Sequence, residues 1–366
     1  MRITAAVLQE YNSPFVLQDV DLGEPHPGEV LVKIVATGIC HTDGLAQSAD
    51  LPFPTPGVLG HEGAGVVVDV GAGVTGLQAG DAVVIGWPWC GECEHCLAGQ
   101  PRYCDQLGPL LAGGGRLDGS TALRRDGMPL HSHFFGQSSF ATHAICSATS
   151  LVKAPDGVAV AKLGPLACGI GTGAGAVFNA LRPGPGSSLV VYGTGAVGLA
   201  AIMAARNTGA TTIIGVDLHE GRLRTAQHFG ATHVINARTD DPVAAVRDIL
   251  GRSADFALEC TGNLQVVRQA IDSVGMLGTA CLIGGAPAGA TFEADHLTTL
   301  WGKRIVGMLG GESTSTKLIG GLLQLHAQGR FPYDELIQEF PFEQINEALA
   351  ASYAGNVLKP VLRMPS

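Results

Sequence analysis

Apolar residues recur along this chain in two rhythms, and the change from one to the other divides it. Through the first ~150 residues, short β-rich runs alternate with Gly/Pro turns. EVLVKIVATGIC (29–40), GAGVVVDVG (63–71) and DAVVIG (81–86) are the clearest of them, and their spacing predicts a compact, strand-rich domain. Farther on, six short apolar runs predict strands: SLVVYG (188–193), TTIIGVD (211–217), THVIN (232–236), DFALE (255–259), TACLIG (279–284) and RIVGML (304–309). Helix-like segments separate most of them: AVGLAAIMAARNT, EGRLRTAQHFG, DPVAAVRDILG and NLQVVRQAIDSVG. Regular alternation of strand and helix implies a parallel sheet with helices on both faces. After Leu309, helical patterns near 315–328 and 342–354 precede a strand-like LKPVLRM. This tail is expected to return to the first domain, a third small domain being the alternative.

Composition narrows the class. The 366 residues include 52 Gly, and the formal net charge is −10 with no Lys/Arg run. A nucleic-acid footprint needs a basic stripe, so that class is excluded. The N-terminal MRITAAVLQEYNSPF lacks the basic and apolar regions of a secretory signal, which points to a cytoplasmic protein. From Leu163 to Ala205 the only charged residue is Arg182, yet abundant Gly with Pro183 and Pro185 makes this a buried core rather than a membrane span. Nine Cys without a signal peptide point to metal ligation before disulfides.

Two motifs carry chemistry. Gly193-Thr194-Gly195-Ala196-Val197-Gly198 follows an apolar strand and opens a helix, where a dinucleotide pyrophosphate is bound. Gly193 permits the tight turn, Gly195 lets the backbone approach the phosphates, and Gly198 allows close helix–strand packing. Asp217, nineteen residues beyond Gly198, ends the next strand. There it accepts the adenosine ribose hydroxyls and repels a 2′-phosphate, favouring NAD over NADP. Arg222 nearby is either a ribose-side contact or a solvated helix residue, and an Arg can also receive a 2′-phosphate. The second motif is Cys90, Cys93, Cys96 and Cys104, a C-x2-C-x2-C-x7-C loop. Four close thiolates wrap a tetrahedral zinc and leave no open position, as in a structural site. The rival, an iron–sulfur cluster, is disfavoured by the long last gap and by the absence of Pro after Cys104.

Cys40 in GICHTD, His61 in GHEGAG and Cys168 in GPLACGIGTG are dispersed, and spacing alone does not join them. Two thiolates and an imidazole would leave the fourth position of a zinc free, the catalytic arrangement.

Taken in order, CHTD, GHEGAG, the four-Cys loop, ACGIGTG and the Gly193–Gly198 fingerprint resemble the zinc-containing medium-chain alcohol dehydrogenases, over essentially the whole chain. GQSSFATHAI (136–145), GPLACGIGTGAG, FPYDELIQEFPFEQINEA and LKPVLRM are similar to the benzyl- or aryl-alcohol branch. The resemblance implies an α/β protein with a discontinuous GroES-like catalytic domain (1–165 and 306–366) and a Rossmann NAD-binding domain (166–305). It implies a homodimer or homotetramer acting on a small alcohol or aldehyde, with NAD and two zinc ions per chain. It assigns the catalytic zinc to Cys40, His61 and Cys168, and places Glu62 behind the metal. Asp43 would accept a hydrogen bond from His61, and Thr42 would bind the substrate oxygen. His41 would contact the pyrophosphate, Thr172 would pack on the nicotinamide, and Lys359 would reach a cofactor phosphate.

The sequence departs from the family at one point. Some members end a proton relay with His five residues after the first Cys ligand, where this chain has Leu45. Trp87, Trp89, Phe134 and Phe135 are either an aromatic pocket or ordinary packing. The Gly-rich stretch GGGRLDGSTALRRDG within 106–133 reads as a mobile lid or an exposed hairpin. Competing functions on the same fold are a thiol-dependent formaldehyde dehydrogenase, a specialised biosynthetic dehydrogenase, and a zinc-free reductase or nucleotide-binding protein.

Overall fold

The computed structural model describes residues 1–365. The chain forms two compact units. One comprises Met1–Cys168, Ser313–Leu323 and the chain from Asp334 onward; the other comprises Gly169–Glu312 and Gln324–Tyr333. The first boundary thus falls after Cys168 rather than at 165, and the return begins at Ser313 rather than 306. The helix Ser315–Ala327 passes from one unit into the other. Its helical period runs on unbroken, so hydrophobic pattern could not mark that crossing.

The first unit is built on two sheets. A five-stranded sheet orders Gly57–Val58, Arg2–Leu8, Phe15–Leu22, Leu123–Arg125 and Met128–Leu130. A seven-stranded sheet contains Glu29–Gly38, Glu62–Val70 and Lys359–Arg363, with Glu29–Gly38 paired to both others. Register decides what these strands deliver. Gly38 lies opposite both Glu62 and Val361, so Cys40, Glu62 and Lys359 emerge at one corner of the sheet. A one-residue slip would turn every side chain to the other face.

The stretch expected to be a lid or an exposed hairpin is a short helix, Leu107–Ala112, followed by the hairpin Leu123–Arg125/Met128–Leu130. The hairpin is not loose. Leu123–Arg125 pairs with Phe15–Leu22, and the Arg116 guanidinium donates to both Glu29 carboxylate oxygens at 2.6 and 2.9 Å.

The second unit contains a six-stranded parallel sheet, ordered His233–Asn236, Thr212–Asp217, Ser188–Tyr192, Ala254–Glu259, Val274–Leu282, Arg304–Gly307. All six predicted strands are present, and the order reverses between the first and fourth, the doubly wound arrangement. The predicted helices form at Ala196–Ala205, Glu220–His228, Pro242–Leu250 and Leu264–Ser273. Asp241 caps the third by accepting from Ala244 N, with Pro242 at its first position and Gly251 in the left-handed region at its end, matching the usual start and stop chemistry of helices. Among the described residues no helix is long and apolar enough to cross a membrane.

Candidate active site

Cys40 follows the strand Glu29–Gly38 and stands at the N-terminus of a short helix, His41–Gln47. Asp43, in the first turn, accepts from Cys40 N at 2.9 Å through one oxygen and meets His61 Nδ1 at 2.8 Å through the other. One buried carboxylate therefore fixes both the Cys40 backbone and the His61 ring. With Nδ1 turned to Asp43, Nε2 is the ring atom left for a metal. It is buried and has no hydrogen-bond partner. Such an orphan is costly unless something else binds it.

What lies nearby is a ligand set. One atom each from Cys40, His61, Glu62 and Cys168 falls within 4.8 Å of the others, and the two sulfurs are 4.0 Å apart. The Cys168 contact holds Cys40 well below the usual thiol range against the opposing effect of burial, and raises Cys168 well above it. The pair shares one proton, with Cys40 the thiolate. Burial works against a charged His61, but Asp43 and Cys40 raise its pKa to about 10. Two sulfurs, an imidazole lone pair and a carboxylate so arranged fit a zinc ion. The set is wider than the three residues expected from the resemblance, because Glu62 reaches it too.

Lys359 corrects an expectation. Expected at a cofactor phosphate, it is instead 3% exposed. Its ammonium donates to Ile39 O at 3.0 Å and stands 2.7 Å from both carboxylate oxygens of Glu62. Burial raises Glu62 to about 7 despite the opposing pull of Lys359, and Glu62 in turn holds Lys359 above its ordinary value in spite of burial. A buried charge needs a partner, and the register of three strands supplies this one. Two glycines make room: a Cβ on Gly38 would lie 1.9 Å from Glu62 Oε2, and one on Gly164 2.0 Å from Glu62 O.

One further part of the site carried no sequence signal. Gln137 donates to His61 O and Ile85 O and accepts from Gly63 N, which fixes the backbone on both sides of Glu62. Phe135 lies against the His61 ring at 4.5 Å, with Phe134 and Trp87 edge-on to it at 4.9 and 5.1 Å. Trp89 does not join them; its Nε1 donates to Thr149 O. Thr42 Oγ1 is 3.7 Å from Cys40 Sγ. His41 and Leu45 line an open hollow of about 330 Å³ with Ser48, Asp50 and Tyr353.

The four-Cys loop also closes on itself. The Sγ atoms of Cys90, Cys93, Cys96 and Cys104 lie within 4.8 Å of one another. Backbone N–H groups of Cys90, Cys93, Asp105 and Gln106 point at these sulfurs at 3.4–3.5 Å. Such donors stabilise thiolates, and Cys93 is lowered to about 6, first by the Asp105 N–H. The donor set fits a closed tetrahedral zinc.

In the second unit a cavity of about 410 Å³ is lined by Gly193, Gly195, Val197, Gly198, Asp217 and Arg222, among others. Gly193 has φ +88°, and a Cβ on Gly198 would lie 1.9 Å from Gly193 O, whereas one on Gly195 would meet nothing within 4 Å. The space before Gly195 is where a pyrophosphate can approach. Asp217 accepts from Thr194 N and Oγ1 at 2.8 and 3.0 Å and from Leu218 N and His219 N at 2.7 and 3.0 Å. Thr194, a variable position in the motif, thus holds the acidic residue in place. Thr172 lies on the helix Gly169–Gly175.

A β-rich unit, a doubly wound dinucleotide sheet and two zinc-type donor sets define a zinc-binding dehydrogenase. Family comparison agrees: residues 26–156 match the alcohol dehydrogenase GroES-like domain and 196–325 the zinc-binding dehydrogenase domain. The chain is 40% identical to a geraniol dehydrogenase of Castellaniella defragrans over 98% of this chain and 96% of that one. It superposes on an alcohol dehydrogenase zinc-binding domain protein of Burkholderia ambifaria with TM-score 0.98 and 47% identity, and on a benzyl alcohol dehydrogenase of Acinetobacter calcoaceticus with TM-score 0.97 and 43% identity. Each superposition covers 100% of both chains. The chain belongs to the zinc-containing medium-chain alcohol dehydrogenase family, whose cofactors are NAD and zinc.

Proposed function

We propose that this enzyme interconverts a primary aryl or allylic alcohol and its aldehyde, with Cys40, His61 and Cys168 holding the catalytic zinc. The observation that carries the substrate class is the aromatic wall of Trp87, Phe134 and Phe135 against His61. A flat, conjugated alcohol gains ring contacts there that ethanol cannot. The names of the geraniol and benzyl alcohol dehydrogenases support the same class.

When bound, zinc acidifies the alcohol and NAD accepts its hydride. The chain's own residues do the rest. Asp43 keeps the His61 Nε2 lone pair available, Thr42 orients the substrate hydroxyl and takes its proton, and Phe135 excludes water from one side of His61. Glu62, held by Lys359, stands ready as a further donor during ligand exchange. Asp217 receives the adenosine ribose with Arg222 beside it, the Gly193–Gly198 turn takes the pyrophosphate, and Thr172 packs on the nicotinamide. Leu45 cannot carry a proton, so the proton leaves through water in the hollow it lines with His41 and Asp50. Cys90, Cys93, Cys96 and Cys104 hold the structural zinc.

The protein is further proposed to be a cytoplasmic homo-oligomer. Met276, Leu277, Leu297, Leu300 and Trp301 are exposed beside the edge strand Arg304–Gly307, and an apolar patch on an open sheet edge marks an association surface.

A steady-state panel tests the function: benzyl alcohol, geraniol, ethanol and a formaldehyde–thiol adduct, each with NAD and NADP. Highest kcat/KM for benzyl alcohol or geraniol with NAD is expected; preference for ethanol or for the thiol adduct would overturn the substrate class.

A further inference from the structure

Arg102 is 3% exposed and lies in the four-Cys loop, two residues before Cys104. Its donors go to neutral oxygens rather than a carboxylate: Nε to Ser313 O at 3.0 Å and Nη2 to Ser315 Oγ at 2.7 Å. Burying a guanidinium is expensive, so its position needs a reason. The guanidinium carbon sits 5.5 Å from the centre of the Trp87 ring, whose face attracts the charge.

Trp87 is itself buried, and its indole N–H has no hydrogen-bond partner. No hydrogen bond orients the ring; Arg102 lies over it and Phe135 meets it edge-on. Phe135 in turn lies on His61. A contiguous series of contacts runs from the four-Cys loop through Arg102, Trp87 and Phe135 to His61. The anchor is also tightly fitted, because a Cβ on Gly86, next to Trp87, would lie 2.2 Å from Ser315 Oγ.

We propose that Arg102 is a positioning residue through which the four-Cys loop sets the aromatic wall and the ligand geometry of the Cys40–His61–Cys168 site. This rests on the reading of that set as the catalytic metal site. Cation–π and charge-assisted contacts to a desolvated guanidinium are strong enough to hold a ring whose own N–H is unpaired. The loop's metal then serves the reaction as well as the local fold.

The test uses full-length protein in which cobalt(II) replaces zinc at Cys40, His61 and Cys168, with Arg102→Met, Arg102→Lys and Ser315→Ala variants. Metal content, cobalt absorption bands and kcat against KM are read together. Arg102→Met is expected to keep two metals per chain, shift the cobalt bands and lower kcat about tenfold with a smaller change in KM. Ser315→Ala should shift the bands in the same direction by less. A folded Arg102→Met protein with parental bands and parental kcat overturns the proposal. If Arg102→Met does not fold, parental bands in both Arg102→Lys and Ser315→Ala overturn it. Parental protein that takes up only one metal per chain instead refutes the site reading, and this inference falls with it.

Discussion

Asp43 does more than its size suggests, since one carboxylate fixes both the Cys40 backbone and the tautomer of His61. Asp43→Asn should weaken metal retention at this site by about 10–100-fold, as loss of such a partner usually does; competition with a chromophoric chelator measures it. Lys359→Met leaves the Glu62 carboxylate buried without its cation. Unpairing a buried ion pair costs about 3–5 kcal/mol, so a clear fall in denaturation midpoint is expected. Leu45→His supplies the proton acceptor this chain lacks. The pH profile of alcohol oxidation should then acquire a step near the ordinary His range, and an unchanged profile would contradict the loss of a proton relay at this position.

Between residue and domain, the parallel sheet is pinned by a side chain at its centre. Asp255 accepts from Ser188 N and Oγ and pairs with Arg252, tying the start of Ser188–Tyr192 to Ala254–Glu259. Arg252 first, then Ser188, outweigh partial burial and lower its pKa from 3.8 to about 2. A depressed carboxylate stabilises the fold fully above its unfolded pKa, and that stability is lost as pH falls through the folded value. Asp255→Asn should thus cost about 1 kcal/mol at neutral pH, after allowance for solvent screening, and the difference from the parent should vanish between pH 4 and 2. Urea titrations across that range would show it. Gly198→Ala tests the other end of the same strand, because the added methyl meets Gly193 O. NAD affinity should fall while both metals stay bound.

For the molecule as a whole, metal and proton compete. Without metal, the site holds a proton on His61, whose pKa is raised to about 10, and another between Cys40 and Cys168. Zinc binding must release protons, so affinity falls as pH falls. Dialysis at pH 5 should strip zinc that survives dialysis at pH 8, and protons released in a weakly buffered metal titration can be counted directly.

Much of this was legible from order and spacing. The six strands and their helices announce themselves because buried parallel strands are continuous apolar runs, and the dinucleotide turn and four-Cys loop are local, so their partners lie close in sequence. The catalytic ligand set is not local. Cys40, His61 and Cys168 come together only because register sets Gly38 opposite Glu62 and a turn brings Cys168 beside them, so the sequence alone could join them only by resemblance. The place of Lys359 is hidden for the same reason: a lysine near a chain end is ordinarily solvated, and only the register of its strand, with Val361 opposite Gly38, buries it on Glu62. The sequence by itself determined the six strands, their alternating helices and the chemistry at each local motif, because these depend on period and short-range spacing. Tertiary structure alone decided which distant groups share a charge, a proton or a ring face, because those depend on strand register and on where backbone without a Cβ leaves room.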